Sequence, residues 1–235
     1  MNEIATQHGL SQSSLAGEFL KALAGRVLED LSSLGTQRDL APETILFSDG
    51  DPPSFVHFIL DGEVRLFVHS SSGRRLIFRN ACPGEVLGLA AAFTAKNQDM
   101  TAQAVYPCSI VSIRQQAFMS FLQRHPEACQ SAARELSREC LRGTERLRTM
   151  GLANSAQSRL ARLLLEWSTD GQQTARGRRF RVPMTHVEVG DCIGASRETI
   201  TRTMSELQRD RVLELRGSLV TILDMPELEN RGMGR

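Results

Sequence analysis

The sequence has no apolar run that is long enough to cross a membrane. A spanning helix needs about 20 consecutive apolar residues, whereas the longest apolar stretch, near residues 86–93, is short and is interrupted by Gly88. The first ten residues also lack the basic start and the apolar centre of a secretory signal. These absences argue against a membrane protein and predict a cytoplasmic location.

Cysteine motifs are missing as well. The chain has five cysteines, but none forms a C-x-x-C pair, so neither a structural zinc site nor a thioredoxin-like motif is expected. An odd number of cysteines in a reducing compartment indicates mostly free thiols. We therefore predict no metal and no cofactor, and the sequence identifies no effector.

A large excess of either charge is also absent. The net charge is +1 over 235 residues, which excludes a uniformly polybasic protein but leaves room for a DNA reader with a local basic face. The hydrophobic fraction of 41% is ordinary for a globular chain. The length allows one large domain or two smaller ones.

The first half of the chain changes from a helical to a strand pattern. Residues 15–34 carry apolar side chains at three- to four-residue steps, which predicts one amphipathic helix. From 42 to 115, short apolar segments (44–47, 55–60, 63–69 and 75–79) alternate with turn residues. Glycines at 50, 62, 73 and 84 recur at steps of 11 or 12, and 70–73 is the predicted tip of a hairpin. This pattern predicts a sandwich or barrel of short strands.

A long helix is predicted from His125-Pro126 to about Gly151. Along it, small and apolar residues step alternately by four and three, which is the heptad spacing of a parallel coiled coil with a twin helix. Packing of a single helix on its own domain produces a similar spacing. The predicted dimer seam consists of Cys129, Ala133, Leu136, Cys140, Gly143, Leu147 and Met150.

The C-terminal third contains two predicted short helices joined by a turn. After a helix over 155–168 and a basic strand ending near Val182, Thr185 and Glu188 form a capping box that starts a helix to about Ile193. Residues 194–195 then turn, and Ser196 caps a second helix over about 197–209. Two short helices joined through a glycine-containing turn are typical of a helix-turn-helix.

The second of these helices has two faces. Ile200, Met204 and Leu207 fall on one side and are expected to pack inward. The other side is polar, and its residues near the helix start suit base edges in the major groove: arginines for guanine, a carboxylate for cytosine. A solvated charged face would have the same periodicity. The predicted DNA-binding residues are Thr185, Ser196, Arg197, Glu198, Thr201, Arg202 and, in a following hairpin or wing, Arg216.

With these motifs in place, residues 18–224 resemble the cyclic-AMP receptor protein/FNR superfamily of transcription regulators. The segments that carry the resemblance are 59–64 (ILDGEV), 83–85 (PGE) and 194–202 (GASRETITR). The resemblance implies an α+β chain with a jelly-roll-like antiparallel β-roll effector domain (1–124), a dimerisation helix (125–153) and a winged helix-turn-helix (154–235). It further implies a homodimer on double-stranded DNA and contact with RNA polymerase.

The resemblance also predicts a DNA sequence. Arg197, Glu198 and Arg202 match the base-contacting positions of the cyclic-AMP receptor branch, which reads TGTGA-like half-sites, whereas FNR-like members usually lack an arginine at position 197. The two half-sites would lie about one helical turn apart, roughly 34–36 Å. The predicted function is a promoter-binding regulator.

The predicted effector pocket departs from that of the cyclic-nucleotide binders. Leu89 stands where the resemblance implies an acid for the ribose, and Met100 where it implies an arginine for the phosphate. Asp99 beside it would repel an anion, and a buried anion without a cationic partner is costly. Control by cyclic AMP is therefore not expected. The residues of this degenerate pocket are Gly88, Leu89, Met100 and Thr101.

Other effectors and functions have weaker signals. Residues 1–40 lack the cysteine cluster of FNR-type iron–sulfur sensors. Cys82-Pro83 is a two-residue motif, which is too short to be specific for haem. Cys129 and Cys140 on the seam allow an oxidation-sensitive interchain disulfide, and Cys192 allows oxidation near DNA, although core packing is the ordinary role of such residues. A cupin-like enzyme would need paired histidines, and His57 and His69 lack them. A DNA-free signalling adaptor would not need Arg197 and Arg202.

Overall fold

The computed structural model describes residues 18–23, 25–70, 73, 75–151, 155–182 and 184–234, without the side chains of 149–151. The described residues belong to two units, Met1–Val68 with Phe78–Leu141, and His69–Ile77 with Arg142–Arg235. Helices and strands occur in both, as expected for an α+β chain.

Short strands dominate the first half of the chain. They are β1 (Gly35–Leu40), β2 (Ile45–Phe47), β3 (Phe55–Asp61), β4 (Val64–His69), β5 (Arg75–Ala81), β6 (Val86–Leu87), β7 (Thr101–Ala104) and β8 (Cys108–Arg114). They form two four-stranded sheets, with the orders β1-β8-β3-β6 and β2-β7-β4-β5. The antiparallel β-roll expected from the strand spacing is confirmed.

The turn glycines of the roll behave as predicted. Gly50, Gly62, Gly73 and Gly84 all have positive φ, between 78° and 89°. At Gly62 a side chain would also collide, since an added Cβ would lie 2.5 Å from the carbonyl oxygen of Pro107. Glycine is therefore required at this turn for both its backbone conformation and its small size.

The single helix predicted over 15–34 is wrong. The described residues form two short helices instead, α1 (Glu18–Lys21) and α2 (Arg26–Ser33), because Gly25 adopts φ 48° and ψ −117°, which no α-helix contains. The apolar periodicity still identified the core, since Phe19, Leu20 and Leu31 are fully buried. Leu15 lies outside the described residues.

The aromatic centre of the first unit joins these helices to the roll. Phe19 packs edge-on against Phe58 at 5.5 Å between ring centroids, and Phe118 contacts both rings. Phe118 belongs to α4 (Gln115–Arg124), which follows β8 directly, and α3 (Leu89–Thr94) precedes β7. The elements β1, α3 and α4 were not predicted.

The long helix is confirmed as α5 (Pro126–Gly151). One stripe of it packs on the core of the first unit, where Ala128 and Ala132 are fully buried. Leu136 packs partly against the same core. Most of the other residues of the predicted seam are exposed.

The second unit contains the predicted helix-turn-helix and wing. Its elements are α6 (Ala156–Ser168), β9 (Gln172–Thr174), β10 (Gly177–Arg181), α7 (His186–Ile193), α8 (Arg197–Arg209), β11 (Leu213–Arg216), β12 (Leu219–Ile222) and α9 (Met225–Met233). The strands form one antiparallel sheet in the order β11-β12-β10-β9. Helix α9, which the sequence analysis missed, is tied to α6 by a 2.7 Å hydrogen bond from Arg162 Nε to the carbonyl oxygen of Gly232.

Candidate nucleic-acid interface

The start of α7 is fixed by the predicted capping box. The hydroxyl of Thr185 accepts a hydrogen bond from the backbone N–H of Glu188, and the Glu188 carboxylate accepts one from the backbone N–H of Thr185 at 2.8 Å. These two bonds satisfy donors that a helix start leaves unpaired. Thr185 itself stays exposed.

The turn between α7 and α8 is held at close range. Gly194 ends α7 in the left-handed conformation, with φ 66°. The backbone N–H of Ala195 donates to the carbonyl oxygen of Gly190 at 2.9 Å, and a Cβ on Gly190 would lie 2.5 Å from the carbonyl oxygen of Ala195. Glycine at position 190 is thus what allows this approach. Its importance was missed because no local pattern distinguishes it from an ordinary helical glycine.

Helix α8 begins at the predicted cap and has the predicted faces. The hydroxyl of Ser196 accepts a hydrogen bond from the backbone N–H of Thr199 at 3.2 Å. The inward residues Ile200, Met204 and Leu207 are at most 5% exposed. The outward residues are exposed to solvent: Arg197, Glu198, Thr201, Arg202 and Ser205.

The first turn of α8 combines charges of opposite sign. The backbone N–H of Glu198, followed by the Ser196 hydroxyl, holds the pKa of the Glu198 carboxyl below its ordinary value, and Arg197 acts in the same direction. Glu198 is therefore a carboxylate, which can only accept hydrogen bonds. One turn later, Arg202 lies 4.0 Å from Glu206, at the limit of an ion pair. The first two turns of α8 therefore expose the guanidinium donors of Arg197 and Arg202 and the carboxylate acceptor of Glu198 to solvent.

His186 is a further residue at this surface that the sequence analysis did not single out. Its Nδ1 atom lies 2.9 Å from the Thr201 hydroxyl oxygen, so the first residue of α7 is hydrogen-bonded to the outward face of α8. The contact joins residues 15 positions apart, and no helical period reveals such a pair. It restrains the hydroxyl that was predicted to contact DNA.

The wing places Arg216 at the end of β11. Its guanidinium forms an ion pair with Glu214 at 2.7 Å, and Arg176 approaches the same carboxylate at 3.1 Å. The hydrogen bond from Arg216 is the main cause that lowers the pKa of the Glu214 carboxyl. The Arg216 side chain remains 72% exposed. It is accessible at the hairpin tip, as a phosphate contact would require.

The predicted seam of α5 forms an outward stripe. Cys129, Ala133 and Cys140 are exposed, Leu136 and Gly143 are partly buried, and Leu147 is 73% exposed. Leu141, which was not in the predicted seam, is 69% exposed. The side chain of Met150 lies outside the described residues.

The predicted effector pocket corresponds to a small cavity of the first unit. Its volume is about 90 Å³, and its lining includes Gly88, Leu89, Met100, Asp99 and Glu139. Thr101 is not among the lining residues; it is buried, and its hydroxyl accepts a hydrogen bond from the backbone N–H of Asp49 at 3.1 Å. Glu139, from α5, was not anticipated. An arginine stands near it, since Arg79 lies 3.5 Å from Glu139 and 2.5 Å from Glu85.

Two of the cysteines, Cys108 and Cys192, and the histidine His57 are buried within the fold. The thiol of Cys192 is buried and contacts the sulfur of Met184 at 3.5 Å, and that of Cys108 donates to the carbonyl oxygen of Glu63. His57 is buried against Phe47, with Nδ1 2.9 Å from the Ser112 hydroxyl. Among the residues that the structure describes, no group of three or more His, Cys, Asp or Glu is arranged to hold a metal ion. None of the described helices combines the length and apolarity that a membrane span demands.

Two family models match the chain. Residues 37–125 match the cyclic nucleotide-binding domain, and residues 158–231 match the Crp-like helix-turn-helix domain. The transcriptional activator protein FnrA of Stutzerimonas stutzeri is 30% identical over 200 residues, which are 84% of this chain and 80% of that protein. The CRP-like cAMP-activated global transcriptional regulator of Mycobacterium tuberculosis is 24% identical over 187 residues, covering 79% and 83%.

Solved structures share the fold. A mutant of CooA from Carboxydothermus hydrogenoformans superimposes with a TM-score of 0.76 at 15% identity, over 95% of this chain and 97% of that one. The c-di-GMP responsive global regulator CLP of Xanthomonas campestris gives 0.73 at 22% identity, over 83% and 97%. At these identities the likeness concerns the fold.

Proposed function

Because the chain belongs to the cyclic-AMP receptor protein/FNR superfamily of transcription regulators, with its DNA-binding helix-turn-helix, we propose that it binds promoter DNA as a homodimer at TGTGA-like half-sites. The observation that carries this proposal is the exposed face of the first two turns of α8, where Arg197, Glu198 and Arg202 lie opposite a buried apolar face. Arginine forks suit the O6 and N7 atoms of guanine, and a carboxylate suits the amino group of cytosine.

The remaining predicted contacts support the orientation of the protein on the duplex. Thr185 and Ser196 lie at the starts of α7 and α8, where helix N-termini favour phosphate. Arg216 at the wing and the hydroxyl of Thr201 add donors for the backbone. Phosphate contacts of this kind fix register, while the base contacts specify the sequence.

The dimer proposal is supported by the outward stripe of α5. Cys129, Ala133, Cys140 and Leu147 are exposed at heptad spacing, and twin helices would bury them against each other. A two-fold dimer would present two α8 helices to successive major grooves, about 34 Å apart. Contact with RNA polymerase at the promoter belongs to the same proposal.

Independence from cyclic AMP is supported by the cavity of the first unit. Its 90 Å³ volume is smaller than the roughly 150 Å³ that holds benzene. Leu89 and Met100 line it where a ribose acid and a phosphate arginine are implied, and Asp99 and Glu139 add negative charge. Arg79, close by, is already engaged by two carboxylates.

The test is selection of duplexes from a random pool by the purified chain. The expected result is a palindrome with TGTGA-like halves, enriched equally with and without cyclic AMP. Adding an oxidant tests the alternative that seam cysteines gate binding. Arg209→Ala is the matched control for Arg197→Ala, since both arginines are exposed on α8 but Arg209 lies three turns further on. A strictly monomeric chain, or one that enriches no sequence, overturns the proposal.

A further inference from the structure

Three arginines converge on the last turn of α7. The Nε of Arg75 donates to the Asp191 carboxylate at 2.9 Å, and the Nε of Arg159 donates to the carbonyl oxygen of Ile193 at 2.7 Å. An Nη of Arg146 donates to the carbonyl oxygen of Cys192. Consecutive residues at one helix end are thus each held by a different arginine. We call Arg75, Arg146 and Arg159 the arginine junction.

These contacts satisfy polar backbone groups at the end of α7. An α-helix leaves its last four carbonyl groups without internal partners and carries partial negative charge there. Cys192 and Ile193 are buried, so water is a poor substitute at their carbonyl oxygens. Guanidinium donors satisfy these oxygens and complement the helix dipole at the same time.

The three arginines all belong to the second unit and come from three different elements. Arg75 lies on β5, Arg146 on α5 and Arg159 on α6. Arg146 also donates from the same Nη to the carbonyl oxygen of Ile77 at 2.7 Å, so one guanidinium joins β5 to the end of α7. Within the described part of the chain its buried Nε has no hydrogen-bond partner, so the Nη contacts are the hydrogen bonds that hold this side chain there.

The position of α7 determines that of α8. Gly190 and Ala195 are in backbone contact across the turn, and His186 is hydrogen-bonded to Thr201. A tilt of α7 would therefore carry the exposed first turn of α8 with it. We infer that Arg146 and Arg159, with the Arg75–Asp191 ion pair, are positioning residues that set the orientation of α8 and hence the preference for specific over non-specific DNA.

This inference rests on the proposed function, and it separates two quantities. Non-specific binding depends on total charge near phosphates. Specific binding needs the base-reading side chains within a few tenths of an ångström of their partners. Loss of the junction should weaken the second far more than the first, because no arginine of the junction is itself a reader.

The first experiment compares Arg146→Ala and Arg159→Ala with the parent on the selected duplex and on a scrambled duplex of equal length. The expected result is a Kd for the selected duplex raised about tenfold, the scale on which residues outside a binding site modulate affinity. The Kd for the scrambled duplex should stay within about twofold. Arg148→Ala is the control, because Arg148 is an exposed arginine on the same helix.

A second set of variants separates positioning from folding. Arg75→Asp and Asp191→Arg should each lower the specific-to-scrambled ratio, and the double variant should restore it. Arg146→Lys keeps the charge but loses the planar fork, so its ratio should fall between those of parent and alanine variant. If every variant keeps the parent ratio, or if both affinities fall in parallel with the melting temperature, the inference is wrong.

A third measurement does not depend on DNA. Amide hydrogen exchange in the DNA-free chain should quicken around residues 190–196 in Arg146→Ala and remain at parent rates in Arg148→Ala. Unchanged exchange there would contradict the junction. If the parent selects no duplex while the two variants show this exchange pattern, the proposed function is contradicted and the junction is not, so the two failures are distinguishable.

Discussion

The residues that the family resemblance implies are present on helix α8 but are replaced by others in the cavity of the β-roll. The exposed face of the first two turns of α8 carries two arginines and a glutamate, which suit base edges. The cavity presents Leu89 and Met100, with carboxylates from Asp99 and Glu139. The proposed DNA-reading surface therefore has the residues that the resemblance implies, whereas the cavity differs from them in polarity and charge.

The largest expected effect tests the output side of that comparison. Arg197→Ala combined with Arg202→Ala removes the two proposed guanine contacts, and a bidentate contact of this kind contributes about 1–3 kcal/mol of discrimination. Site-specific binding energy should fall by about 2–6 kcal/mol, as measured by titration of the selected duplex. The Arg209→Ala control should retain specific binding. Parent-like discrimination in the double variant would break the assignment of α8 as the reader.

The next effect concerns the support of that surface. Gly190→Ala places a Cβ 2.5 Å from the carbonyl oxygen of Ala195, so the turn must open. We expect the second unit to lose about 2–3 kcal/mol of unfolding free energy, the cost of forcing volume into a packed contact. Urea unfolding followed by Trp167 fluorescence measures it. Gly217→Ala is the control for collision, since no atom of the described residues lies within 4 Å of a Cβ at this turn. Its positive φ should still cost about 1 kcal/mol, which is less than the loss expected at Gly190.

A smaller effect tests the β-roll. Burial, followed by the charge of Arg38, lowers the pKa of His57 from 6.5 to about 4. His57 therefore binds a proton less readily in the folded state than in the unfolded state. The free energy of unfolding keeps its full value above pH 6.5 and decreases as the pH falls towards 4. Between pH 7 and pH 5 the loss should be roughly 2 kcal/mol.

The measurement is urea unfolding at both pH values for the parent and for His57→Gln, which retains hydrogen-bonding groups near Ser112. The variant should lose this share of the pH dependence. An equal pH dependence in both chains would show that His57 is not a buried neutral histidine.

The smallest effect returns to the output surface. Ser196→Ala removes the hydroxyl that accepts from the backbone N–H of Thr199, and such caps contribute about 1 kcal/mol. Thermal unfolding should show this loss. Ser205→Ala on the same helix is the matched control, because its hydroxyl donates only to the backbone carbonyl of Thr201 within the helix. Equal melting temperatures for the two variants would show that the Ser196 cap does not stabilise the protein.

The local signals of the sequence predicted the second unit well. The capping box at Thr185, the turn at Gly194 and the cap at Ser196 each depend on residues a few positions apart, and the helices begin and end where these residues indicated. The same holds for the positive φ of the turn glycines in the roll. The family resemblance, which the comparisons confirm, added the order of the parts.

Contacts between distant residues were not predicted. The break at Gly25 and the start of α9 were missed although both carry local signals, a glycine within a helical pattern and Asp224 as a cap with Pro226 in the first turn. The His186–Thr201 contact, by contrast, joins two helices. Glu139 reaches the cavity from a helix whose pattern had been interpreted only as a dimer seam. These features arise because packing brings together residues that no sequence period relates.

The sequence alone determined the apolar stripes, the caps, the turns and the charged face of α8, because each follows from side-chain chemistry repeated at the period of a helix or strand. Only the tertiary structure decided which helix ends are satisfied by remote side chains. Arg75, Arg146 and Arg159 are unremarkable in their own segments, and they meet at α7 because buried carbonyl groups must find donors wherever the fold supplies them.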